Sequence, residues 1–216
     1  MDISLRIFRG IGPITESRDE EFSDFHFTAK ESDTILDLLM KAGLEDASLL
    51  FRHSCHHGSC GTCACIIDGT ERLACRTPVS EFQATSRIEI RPLNGFPRIK
   101  DLVVDMSPLF EKTDETWPYL RRSERDGKRF EDCIECGACM SACPVTEPFQ
   151  GPAPLAFLHR RLESLDAKAE EERKELLSRA GESDAVPACQ EHFACSRVCP
   201  QRVAPGRRIR ELRNLL

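Results

Sequence analysis

At 216 residues with 40% apolar side chains, the chain is long enough for one large domain or two small ones, and two fit better. A net charge of −6 argues against nucleic acid as a partner, and no run nears the roughly 18 apolar residues of a membrane span. The start, Met1 to Arg9, has neither an apolar core of signal-peptide length nor a small-residue cleavage site, so the 12 cysteines are expected in a reducing compartment, where closely spaced thiols bind metal.

Ile3, Leu5 and Ile7 alternate with Ser4 and Arg6, Phe25 and Phe27 flank His26, and Ile88 and Ile90 flank Glu89, which predicts three half-buried strands. Between the second and third, Asp33 is placed to cap a helix whose apolar face is Ile35, Leu38, Leu39 and Ala42, with Gly43 where it stops. Ile66-Ile67-Asp68-Gly69 followed by Glu71 to Ala74 is a hairpin signal. A small mixed sheet over one helix is the expected assembly. Arg91 to Arg98 holds Pro92, Asn94, Gly95 and Pro97, too many breakers for regular structure, and divides the chain into domains at 1–97 and 98–216.

The second domain reads as helical. Leu155, Leu158, Leu162 and Leu165 recur at helical spacing after Pro152 and Pro154, giving an amphipathic helix that can pack over a cofactor. Lys168 to Arg179 is highly charged, with Glu170 and Lys174 spaced i,i+4, and reads as a solvated helix between ligand groups.

The cysteines carry the chemistry. Cys55, Cys60 and Cys63 follow Cys-x4-Cys-x2-Cys, and Cys75 comes after eleven intervening residues, the plant-type 2Fe-2S spacing. Gly58 and Gly61 sit where the backbone must bend around such a cluster and aim amides at sulfur. Cys65 has no place in the pattern and is expected to be a buried thiol. His53, His56 and His57 invite a Rieske reading, but the only Cys-x-x-His, Cys189 to His192, lies more than a hundred residues away, so solvated loop histidines are expected. Zinc competes for any cysteine set, yet tetrahedral sites usually draw on two separated pairs, and runs of three and four thiols suit iron–sulfur cubes better.

Cys133, Cys136, Cys139 and Cys143-Pro144 form the second run, in which Gly137 and Ala138 would leave room for a cluster. In runs of this spacing the fourth cysteine serves a different cluster, and Cys189, Cys195 and Cys199-Pro200 supply the complement. Crossed ligation assigns Cys133, Cys136, Cys139 and Cys199 to a 4Fe-4S centre and Cys143, Cys189 and Cys195 to another. That last centre has three thiols only; in a regular run the fourth would fall at His192, so a 3Fe-4S cluster is expected, with His192 either filling the vacant corner or ligating a fourth iron.

The order of 2Fe-2S, 4Fe-4S and 3Fe-4S ligands resembles the iron–sulfur subunit of succinate dehydrogenase and fumarate reductase. The likeness extends through Leu5 to Arg9, Arg52-x-Ser54-Cys55, Arg91-Pro92-Leu93, Ile99 to Met106, Gly151-Pro152-Ala153 and Cys199-Pro200. It implies an α+β chain: an N-terminal plant-ferredoxin-like β-grasp domain followed by an all-α bacterial-ferredoxin-like domain. It further implies an electron-transfer subunit with no substrate-transforming residue of its own, relaying single electrons between the FAD of a partner flavoprotein and a quinone at a membrane anchor. Such a subunit is peripheral, on the cytoplasmic or matrix-like face of an energy-conserving membrane. Cys55, Cys60, Cys63 and Cys75 would face the flavin, and the 3Fe-4S end the acceptor. At that end the chain departs from many quinone-reducing relatives: Pro148 replaces a tryptophan, and Gln190 and Gln201 replace histidine and lysine. Menaquinone, or a soluble thiol donor, then gains over ubiquinone. Two alternatives keep the clusters: a related flavoprotein complex acting on another organic acid or a thiol, and a stand-alone multi-cluster carrier.

Overall fold

The computed structural model describes residues 1–12, 21–83, 87–111 and 133–216. The first of two compact units comprises Met1–Met106 with Ile134–Ala138; the other described residues from Ser107 onward form the second.

In the first unit, β1 (Asp2–Arg9), β2 (Glu21–Thr28), α1 (Ile35–Glu45), β3 (Ala64–Ile67), β4 (Thr70–Leu73) and β5 (Arg87–Arg91) follow in order, and the sheet runs β2-β1-β5-β3-β4. β1 pairs antiparallel with β2, from Asp2 opposite Thr28 to Arg9 opposite Glu21, and parallel with β5, from Ser4 opposite Arg87 to Ile7 opposite Ile90. Alternation along these strands buries Ile3, Leu5, Ile7, Ile88 and Ile90, and α1 buries Ile35, Leu38, Leu39 and Ala42. The expected hairpin joins β3 to β4 through Asp68 (φ 48°) and Gly69 (φ 77°), the left-handed pair that a tight two-residue turn needs.

Two helix signals fall elsewhere than the sequence suggests. Thr34, extended at φ −99° and ψ 164°, caps α1: its hydroxyl accepts from Asp37 N at 3.3 Å while its own N–H donates to Asp37 Oδ2 at 2.8 Å. Asp33, one residue too early to reach the first turn, instead accepts from Lys41 Nζ at 2.8 Å and Lys30 N at 3.2 Å. Gly43 does not stop the helix, which runs to Glu45; a Cβ there would lie 3.2 Å from the Phe51 ring, so this glycine serves packing.

Past the breaker-rich segment, β6 (Arg98–Lys100) and β7 (Val103–Val104) pair antiparallel about Asp101, which adopts φ 49°. The Asp101 carboxylate is 1% exposed and accepts from Gly10 N at 3.0 Å, Arg9 Nε at 3.2 Å and Leu50 N at 2.9 Å. It thereby ties the end of β1 to the segment that leads into the first cysteine loop.

The helices that follow are α2 (Ser107–Phe110), α3 (Ala138–Ser141), α4 (Pro152–Ser164), α5 (Glu170–Ala180), α6 (Ala194–Arg197) and α7 (Pro205–Arg213). Proline opens both α4 and α7, where its missing N–H has no intrahelical partner to lose. The second unit's core joins Leu155, Leu158 and Leu162 of α4, Leu176 of α5 and Ile209 and Leu212 of α7, and half-buried Cys143 and Cys189 pack against it. The charged helix forms as α5, but Lys174 pairs with Glu171 at 3.3 Å rather than Glu170, and Arg161 of α4 reaches Glu172 at 2.5 Å.

His159 lies 5% exposed between α4 and α7, its Nε2 3.4 Å from Glu211 Oε2 and its Nδ1 3.6 Å from Glu163 Oε2. Burial lowers its pKa; Glu163 and Glu211 pull the other way and Arg208 adds to the lowering, leaving it below the ordinary value. The unfolded chain therefore takes up this proton more readily than the folded one. The stability contributed by neutral His159 is complete above about pH 6.5 and is lost as pH falls below it. Urea unfolding followed by helix content is expected to show a midpoint falling between about pH 7 and pH 5, and His159→Gln is expected to flatten that fall.

Candidate iron–sulfur sites

The first site is built by backbone conformation. His56 (φ 62°), Gly58 (φ 86°) and Gly61 (φ 72°) are left-handed and curl the loop so that amides converge on Cys55. The Ser59 N–H donates to Cys55 Sγ at 3.3 Å, and the His57 amide, the Cys60 thiol and the Ser59 and Cys60 amides together bring this thiol down to about 6, with His57 contributing most. Cys63 is its opposite: burial pushes it up to about 12. Cys75 sits in a tight turn after β4, where Ala74 N donates to Cys63 O at 3.1 Å. Electrostatic interactions link Cys55 with Cys60, Cys60 with Cys63 and Cys63 with Cys75, so the structure brings all four predicted thiols together. This donor set fits a 2Fe-2S cluster: converging amides stabilise negative sulfur, and iron binding would displace the proton that burial holds on Cys63.

Cys65 lies in β3, 3% exposed, its thiol pushed far up by burial. Cys65→Ala is expected to leave visible absorption and iron content unchanged while costing about 1 kcal/mol of stability, read by thermal unfolding of the loaded protein. His53, His56 and His57 are exposed, as expected. His53 Nδ1 lies 2.9 Å from His56 Nε2, and His57 Nδ1 donates to Cys55 O at 2.5 Å, which turns that ring onto the backbone.

The second run passes through both units. Ile134–Ala138 belongs to the first. Gly61 lies against it: a Cβ there would stand 2.5 Å from Ile134 O and 2.8 Å from Cys136 Cβ. The room left by Gly137 (φ 79°) is taken by protein, since a Cβ would meet Met106, Phe96 and Leu93. Cys133, Cys136, Cys139 and Cys199 are half-buried, Cys139 lies in α3, and Cys199 Sγ accepts from Val203 N at 3.3 Å.

Cys143, Cys189 and Cys195 line one small, open pocket in the second unit, together with Phe149, His192 and Ile209. Burial raises the Cys143 and Cys195 thiols. Three residues that residue type alone does not single out brace cysteines of the pocket or of the first site. Ser196 accepts from Gly206 N at 2.9 Å while hydrogen-bonding Cys195, so it joins a thiol to the first turn of α7. Arg213 donates to Cys189 O at 2.7 Å and Val186 O at 2.9 Å. Thr62 Oγ1 lies 3.1 Å from Cys60 Sγ. The only sequence signal for the two hydroxyls is their position next to or between cysteines; Arg213 has none.

A mixed-sheet unit with a Cys-x4-Cys-x2-Cys loop, followed by a helical unit with two interleaved cysteine runs, defines a multi-cluster ferredoxin-type electron carrier. Residues 4–111 match the family model of the 2Fe-2S iron-sulfur cluster binding domain, and residues 129–203 that of the 4Fe-4S dicluster domain. The fumarate reductase iron-sulfur subunit of Mycobacterium tuberculosis is 36% identical over 181 residues, covering 74% of this chain and 71% of that one. The mitochondrial succinate dehydrogenase [ubiquinone] iron-sulfur subunit of Candida glabrata is 32% identical over 202 residues, covering 84% and 78%. A chain of the Mycobacterium smegmatis Sdh1 complex in the apo form superposes with a TM-score of 0.75 at 25% identity, covering 99% of this chain and 95% of that one.

The chain belongs to the family of succinate dehydrogenase and fumarate reductase iron–sulfur subunits. It is the electron-carrying subunit of such an oxidoreductase, with 2Fe-2S and 4Fe-4S binding domains in the expected α+β order. Among the described residues, no helix is long and apolar enough to cross a membrane.

Proposed function

We propose that the chain relays single electrons between the FAD of a partner flavoprotein and a quinone held by a membrane anchor, from the cytoplasmic or matrix-like face of the membrane. Cys55, Cys60, Cys63 and Cys75 hold the 2Fe-2S cluster, Cys133, Cys136, Cys139 and Cys199 the 4Fe-4S cluster, and Cys143, Cys189 and Cys195 the 3Fe-4S cluster. The observation that carries this reading is the pocket in which just three of the twelve thiols, Cys143, Cys189 and Cys195, meet. Clusters suit the task because each takes one electron with little rearrangement, while a flavin handles two. With Pro148, Gln190 and Gln201 at the acceptor end, menaquinone or a soluble thiol donor gains over ubiquinone.

Affinity purification of the tagged chain from its native host tests this reading. The expected result is a complex containing a flavoprotein, active on succinate or fumarate, with 3Fe-4S resonance in the oxidised state; a chain that purifies alone and still oxidises succinate would overturn it. Ser196→Ala is expected to lower the potential of the third cluster by about 40 mV, if its bond to Cys195 is worth ~1 kcal/mol more to the reduced centre. A redox titration followed by electron paramagnetic resonance measures the shift.

A further inference from the structure

We propose that His192 is a latent fourth ligand, so that the Cys143, Cys189 and Cys195 site takes up a fourth iron reversibly. The inference rests on the ligand set proposed above and extends it. His192 lines the same pocket as the three thiols, three residues after Cys189, where a regular cluster run would place its next cysteine. It is also exposed, so an ion can reach it from solvent.

The loop around His192 is fixed on both sides. Glu191 (φ 55°) and Phe193 (φ 57°) hold it in a left-handed bend. Glu191 is gripped by Arg210, at 2.9 Å, and by Arg213 of α7, and the His192 carbonyl accepts from Arg197 Nη1 at 2.9 Å. The side chain has a partner of the kind that metal-bound imidazoles use. Its Nε2 donates to Gln190 Oε1 at 3.1 Å, which leaves Nδ1 as the nitrogen available to iron. An imidazole oriented in this way is a competent ligand for ferrous iron. Gln190 therefore acts as a positioning residue.

The uptake balances without an oxidant. With the centre reduced to [3Fe-4S]0, one Fe2+ loses its bound water, gains bonds to three cluster sulfides and to Nδ1, and gives [4Fe-4S]2+ with no electron transferred. Starting from the oxidised [3Fe-4S]+, one electron is needed, and dithionite supplies it.

The test uses the cluster-loaded full chain, reduced anaerobically with dithionite and given isotopically enriched ferrous ion, then desalted and read by Mössbauer and electron paramagnetic resonance. The wild type is expected to retain about one enriched iron per chain in a 4Fe-4S environment and to lose its 3Fe-4S resonance on reoxidation. His192→Ala is expected to keep that resonance and retain no enriched iron. His192→Cys is expected to hold four irons as isolated, and Gln190→Leu to bind the added iron more weakly. Equal retention by wild type and His192→Ala, or retention by neither while the 3Fe-4S resonance is present, would overturn the inference and leave the ligand set standing. A third cluster missing from wild type and His192→Cys alike would overturn both.

Discussion

Gly61→Ala is expected to prevent assembly of the 2Fe-2S cluster and to destabilise the first unit by about 2–5 kcal/mol. Two penalties combine. The left-handed backbone at φ 72° costs an L-residue about 1–2 kcal/mol. The new Cβ would also stand 2.5 Å from Ile134 O and 3.0 Å from Cys136 Cα, and these are backbone atoms that cannot swing aside. Either the Cys55–Cys63 loop or the Cys136 segment must therefore shift. Gly69→Ala separates the penalties, because Gly69 has φ 77° but no atom within 4 Å of its Cβ position. It is expected to cost only the conformational part and to keep its iron. Iron and sulfide content, with urea unfolding of both variants, decides; equal behaviour would mean that packing against Ile134 and Cys136 carries nothing.

Asp101→Ala is expected to cost about 3–5 kcal/mol, because it strands the Gly10 and Leu50 amides and removes one partner of a largely buried ion pair. Arg9 keeps Asp46 at 2.6 Å, Ser48 at 2.7 Å and Ser23 at 3.1 Å, so the guanidinium is not abandoned. Asp46→Ala, which removes the solvent-facing partner of the same arginine, is expected to have a much smaller effect. Denaturation midpoints of the two variants give the comparison. Asp101→Ala is expected to loosen the first cysteine loop as well, since Leu50 leads into it.

Much of this architecture is legible in the sequence, for identifiable reasons. Strand alternation and the Asp68-Gly69 turn are local properties, so β1, β2, β5 and the β3–β4 hairpin follow from residue type alone. The Cys-x4-Cys-x2-Cys spacing is equally local, whereas the approach of Cys75 to that loop and of Cys143 to Cys189 and Cys195 depends on the fold and is suggested in the sequence only by the pattern of cluster ligands. The misplaced details turn on geometry that residue type leaves open. Asp33 and Thr34 are both good caps, and only the extended backbone at Thr34 decides between them. Gly43 resembles a helix stop until the Phe51 ring is seen against it. Gly137 resembles space for a cluster until Met106, Phe96 and Leu93 are seen to fill it. Ser196 and Arg213 act on cysteines through contacts that only the folding of α7 creates.

The hold of α7 on the pocket of Cys143, Cys189 and Cys195 has a consequence for biosynthesis. Gly206 and Ile209 line the pocket, and Arg213 grips the carbonyls of Val186 and Cys189, yet all three residues are translated after Cys143, Cys189 and Cys195. Each of those thiols is therefore synthesised before the helix that encloses it. Enclosure of this centre therefore has to wait until α7 is translated and folded against it.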